Sequence, residues 1–183
     1  MKKLILLFFV LPFLTSPLAA VADELDTPVV AKPGELIVEV NGVVCSICAK
    51  GLQKNLAKLD FNSPVLSEKS GVKIDIRSGR LVMYRDLKKP IDFDGLLTAV
   101  KKGGYELNKL YMHLNGSMES VNGKWVLSEK EGPNKFGLAN APTDLTKSNA
   151  VTLRVMITAN TLAKAQPGTV VEVEVDEITK ASE

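Results

Sequence analysis

Cysteine and histidine are scarce in this chain of 183 residues: two Cys, at 45 and 48, and one His, at 113. A closed structural zinc site takes four such ligands, so this inventory argues against one. A disulfide framework is equally unsupported, because a structural staple gains most by linking distant segments and these two cysteines are three apart. Past residue 22 no run approaches the roughly 20 apolar residues of a spanning helix. Excess positive charge is also lacking. Residues 1–22 hold two Lys and no acid, so the 23 basic and 21 acidic residues become 21 and 21 without them. A formally neutral chain argues against nucleic acid as partner. No phosphate loop, serine motif or nucleophile–base constellation occurs, which leaves hydrolytic catalysis without support.

What is present begins with a targeting pattern. Lys2 and Lys3 precede an apolar stretch, Leu4 to Leu14, and Ala20-Val21-Ala22 then supplies small residues before Asp23. This is the layout of a secretory signal peptide, residues 1–22, cleaved near Ala22. Its apolar core is too short for a membrane anchor and carries Pro12, with Pro17 just beyond. A periplasmic or secreted location is expected. The residue directly after the cleavage site is Asp23, not a cysteine that could take a lipid.

Residues 23–34, with Pro28 and Pro33, read as a flexible leader. In residues 35–110 the hydrophobic period alternates between that of strands and that of helices. Leu36, Val38 and Val40 share one face of a strand. Cys48, Leu52, Leu56 and Leu59 recur at helical spacing. Val72, Ile74 and Ile76 form a second strand, and Ser78-Gly79 turns into a third at Arg80 to Tyr84. Phe93, Leu96, Leu97 and Val100 form the stripe of a second helix stopped by Gly103-Gly104. Tyr105 to Leu110 completes a β-α-β-β-α-β order, the split βαβ arrangement. Residues 111–183 instead suggest five short strands, at Met112–Glu119, Lys124–Glu129, Lys135–Leu138, Val151–Ile157 and Thr169–Ile178. The turn signals between them point to a small all-β domain, with an OB-like barrel as the preferred architecture. The fold class expected is thus α+β: a ferredoxin-like domain at 35–110 followed by a small all-β domain at 111–183.

The chemistry concentrates at Cys45-Ser46-Ile47-Cys48. Two cysteines at this spacing read as a redox or metal pair. Thiolates are soft ligands that select Cu(I) and other thiophilic ions, and two from one loop leave coordination positions open for transfer. The spacing places Cys45 in the loop after the first strand and Cys48 in the first helical turn. Free amide groups, the helix dipole and nearby Lys50 all favour the thiolate there. His113 is a weaker candidate for a third ligand, and the methionines at 83, 112, 118 and 156 lack the clustered spacing of extracellular copper sites.

Residues 35–110 resemble the heavy-metal-associated domain family, which includes copper chaperones, the soluble modules of copper-pumping ATPases and the periplasmic mercury-binding protein. Asn41-Gly42-Val43-Val44-Cys45-Ser46-Ile47-Cys48-Ala49 is similar to the family's metal loop, and Lys102-Gly103-Gly104-Tyr105 to the close of its second helix. The resemblance implies a ferredoxin-like fold, metal held by Cys45 and Cys48, and Tyr105 close to both. It implies Cu(I) as the ion, with Hg(II) or Zn(II) as further ions, and a protein partner for metal transfer. This sequence departs from the family in having Val43 where the loop has methionine, and in Phe61 to Ser70, which reads as an insertion forming a protruding loop or irregular helix end.

Two rival functions use the same residues. A thiol–disulfide oxidoreductase would employ the C-x-x-C pair, although an aromatic residue followed by C-G-P-C is absent, as is a cis-proline candidate opposite the site. Alternatively, the β domain is the functional part and the metal module its sensor. The acidic alternation of Glu172, Glu174 and Asp176 sets that domain against nucleic acid.

Overall fold

A computed structural model describes residues 29–41, 46–64, 70–142, 145–166 and 169–180. The signal region, leader residues 23–28, and Gly42 to Cys45 of the cysteine loop lie outside the described residues. The chain runs β1 (Glu35–Asn41), α1 (Ser46–Leu56), β2 (Val72–Asp75), β3 (Arg80–Tyr84), α2 (Phe93–Lys102), β4 (Glu106–Val121), β5 (Lys124–Glu129), β6 (Lys135–Leu138), β7 (Ser148–Thr158), α3 (Ala159–Leu162) and β8 (Val171–Lys180). It is a mixed α+β fold, rich in sheet.

The helices form where the apolar stripe can be buried and the ends can be satisfied. In α1, Ala49, Leu52 and Leu56 are buried. In α2, Phe93, Leu96, Ala99 and Val100 are buried, while Asp92 caps the N-terminus by accepting from the Gly95 N–H at 2.8 Å. Lys101 and Lys102 occupy its last turn, where a positive charge opposes the helix dipole. Gly104 then takes φ +84°, a left-handed conformation that turns the chain into β4.

Eight strands join in the order β2-β3-β1-β4-β5-β6-β8-β7, and β4 also pairs with β7. β2, β3, β1 and β4 are antiparallel to each neighbour. From β4 onward the pairings close a five-strand ring, β4-β5-β6-β8-β7 and back to β4, with β6 parallel to β8. Buried Leu, Val, Met and Phe residues from both regions form one continuous core.

The strands expected at Tyr105–Leu110 and Met112–Glu119 are a single strand of 16 residues. No turn residue stands at Tyr111 to interrupt the alternation, and both flanks of the strand find partners. On one edge β4 pairs first with β1, from Glu106 to Met112, and then with β5, from Gly116 to Val121. On its other edge it pairs with β7. A cross-strand row therefore runs Lys73–Val82–Ile37–Tyr111–Met156–Glu174 through β2, β3, β1, β4, β7 and β8. The division at residue 110 falls inside this strand.

Gly116 marks the change of partner. A Cβ there would run into the Ser128 carbonyl oxygen, so only glycine lets β4 and β5 approach this closely. The β4–β7 register also shifts between Gly116 and Met118. The stem of the Phe61–Ser70 segment is not a free protrusion: Phe61 is 1% exposed, and Asn62 Nδ2 donates to the Ser70 carbonyl at 2.9 Å. Residues 65–69 lie outside the described residues.

Candidate metal-binding site

β1 ends at Asn41, opposite Glu106 at the start of β4. The cysteine loop leaves from that end of the sheet. Cys48 is the third residue of α1 and is exposed. It is disulfide-bonded, and the sequence contains one other cysteine, Cys45, which lies outside the described residues. The first turn of α1 carries no acidic residue, and Lys50 is exposed two positions beyond Cys48. Ile47, within the C-x-x-C, is 82% exposed.

Tyr105 is buried, and its hydroxyl has no hydrogen-bond partner among the described residues. Its Cδ2 and the Leu52 Cδ1 lie 3.2 and 3.1 Å from where a Cβ on Gly103 would sit. Leu52 is about one helical turn beyond Cys48, roughly 6 Å along the axis. The helix-closing Gly103-Gly104-Tyr105 segment thus packs on α1 beside the turn that carries Cys48.

His113 belongs elsewhere. It lies on β4 opposite Arg154 of β7. Seven residues of extended strand separate it from Glu106, about 23 Å at 3.3 Å per residue. Burial, and secondarily the charge of Arg154, holds its imidazole below the ordinary histidine range. Met83, Met112 and Met118 are buried core residues, and Met156 is half-buried. Among the described residues, no group of three or more His, Cys, Asp and Glu is placed to hold a metal ion.

A polar cluster that the sequence reading did not single out lies where the open sheet meets the ring. Arg85, just past β3, makes a bidentate ion pair with Glu129 at the end of β5. Asn134 donates to Glu129 Oε2 at 2.6 Å and accepts from the Ile91 N–H at 3.0 Å. The available signal was period two: Leu81, Met83 and Arg85 alternate onto one buried face. A buried arginine requires a partner, but its identity depends on long-range pairing.

No family model, no curated protein and no solved structure matches this chain.

Proposed function

We propose that the chain is an exported carrier or buffer of a soft metal ion, Cu(I) first, with Hg(II) and Zn(II) as further ions, held by the thiolates of Cys45 and Cys48. The observation that carries this reading is the exposed position of Cys48 in the first turn of a helix without acidic residues there. A thiolate so placed is accessible to metal and to a protein partner that would exchange it. The strand order β2-β3-β1-β4 supports reading 35–110 as a ferredoxin-like, heavy-metal-associated-like domain. The closed ring supports an OB-like barrel in 111–183, built on the second half of the shared strand β4.

Because Cys48 is disulfide-bonded, metal loading requires prior reduction, a two-electron step that yields two thiols. The test is native mass spectrometry of mature protein in competition among Cu(I), Zn(II) and Hg(II), before and after reduction. The expected result is one metal per reduced chain, Cu(I) preferred over Zn(II), and none on the oxidised chain. Equal uptake by the Cys45→Ser, Cys48→Ser variant would overturn the reading.

The same disulfide favours a second reading, a thiol–disulfide oxidoreductase that uses the exposed Cys48 pair. Insulin reduction above background, abolished by Cys48→Ser and accompanied by no stable metal uptake, would select it.

A further inference from the structure

At the fork of the sheet β1 has left β4 and β5 has not yet begun to pair. The last β1 pairing is Leu36 with Met112, and the first β5 pairing is Gly116 with Glu129. His113, Leu114 and Asn115 lie between them. The gap opens into a cavity of about 500 Å³, within the range of small-molecule sites. Its wall includes Gly34, Arg85, His113, Asn115, Glu129 and Lys130.

The chemistry of this wall is lopsided. Arg85 is 1% exposed, and its Nε is a buried donor without a partner among the described residues. The His113 Nδ1 is likewise buried and unpartnered. Asn115 and Lys130 add an amide and an ammonium at the exposed side. The Glu129 carboxylate, the buried acceptor, is already engaged by Arg85 on both oxygens and by Asn134. The exposed acids Glu131 and Glu177 lie at the rim and across β7, the latter paired with Arg154. A buried donor left over at Arg85 Nε, beside an imidazole nitrogen that donates in its Nδ1–H tautomer, while the buried acceptor is saturated, calls for a ligand bearing acceptor oxygens.

We propose that this cavity is a binding site for a small organic carboxylate, whose oxygens accept hydrogen bonds from Arg85 Nε and from His113 in its Nδ1–H tautomer while its carbon skeleton fills the space between β1 and β5. The site is separate from the cysteine pair, at the opposite end of β1, and does not depend on the metal reading.

The test is a titration of ¹⁵N-labelled mature protein with acetate, succinate and benzoate, followed by NMR at the Arg85 side-chain Nε–H, the His113 ring and the Gly34 and Gly132 amides. Acetamide and sodium chloride serve as controls. The expected result is saturable shifts at these positions with at least one carboxylate and with neither control. His113→Phe should weaken binding by about tenfold or more, and His113→Gln, which keeps an N–H donor, should recover part of it. The Cys45→Ser, Cys48→Ser variant should bind the carboxylate unchanged even if metal uptake is lost. Shifts that fail to saturate with every carboxylate, or that the controls reproduce, would overturn the proposal.

Discussion

Arg85 and Glu129, 44 residues apart, form an ion pair whose side chains are 1% and 4% exposed. One partner follows the third strand of the open sheet and the other ends the second strand of the ring. The pair therefore bolts the two regions together beside the strand they share. Backbone hydrogen bonds fix each partner within its own region: the Arg85 N–H donates to the Gly34 carbonyl, and the Lys130 N–H to the Asn115 carbonyl.

Breaking that pair from one side leaves a buried charge uncompensated. Arg85→Met or Glu129→Leu alone is expected to destabilise the fold by about 3–5 kcal/mol. Arg85→Met combined with Glu129→Leu should cost much less than either single change, since no charge remains buried. Urea unfolding of the three variants measures this, and the non-additivity of the cycle isolates the pair.

Gly116→Ala tests the crossing of β4 and β5. Its Cβ would meet the Ser128 carbonyl, so the ladder must open at the junction. A loss of roughly 1–3 kcal/mol is expected. Gly123→Ala, with open space around its Cβ position but φ +78°, provides a comparison in which only backbone strain acts. Thermal unfolding, with hydrogen exchange of the Gly116 to Val121 amides, should show local opening only for the Gly116 variant.

Acid should weaken the protein partly through His113. Its imidazole is held below the ordinary histidine value of about 6.5 in the folded chain, chiefly by burial and further by Arg154. The unfolded state then binds the proton first as pH falls. Stability from this residue is complete above about pH 6.5 and declines as pH drops from there towards the folded value. His113→Gln should flatten that part of the stability–pH curve. An NMR titration of the wild-type imidazole with a midpoint at or above 6.5 would contradict the expectation.

Tyr105→Phe separates the ring from its hydroxyl. The hydroxyl is buried without a partner among the described residues, so its removal should leave stability unchanged or raise it by about 1 kcal/mol. Tyr105→Ala removes a buried ring and should cost about 3–5 kcal/mol. Metal affinity measured on the reduced Tyr105→Phe protein tests whether packing beside α1, rather than the hydroxyl, shapes the cysteine loop.

Local order was largely legible. The expected bounds of β5 and β6 coincide with those observed, because turn residues flank both and enclose a short apolar run in each. The stop of α2 at Gly103-Gly104 was readable for a similar reason, since glycine there serves a left-handed turn. Other features were less so. α3, Ala159–Leu162, has no charged residue in its first or last turn and no side-chain cap hydrogen bond, and nothing in its four residues announces a helix. The candidate site was legible as a spacing of two cysteines on a strand–loop–helix pattern. That His113 sits far along β4 from the loop, beside a cavity, followed only from the register.

The sequence by itself determined the order of α1, α2 and most strands, their buried faces and the C-x-x-C pair, because each depends on periodicity, turn chemistry and spacing within a few residues. Only the tertiary structure decided that β4 runs unbroken from Glu106 to Val121, that β4 and β7 close the ring, and that Arg85 finds Glu129. Strand pairing is a contest among many edges of similar local character. It is resolved by which closure buries the most apolar surface while satisfying every buried charge and backbone group, a condition on the whole chain that no local stretch of residues encodes.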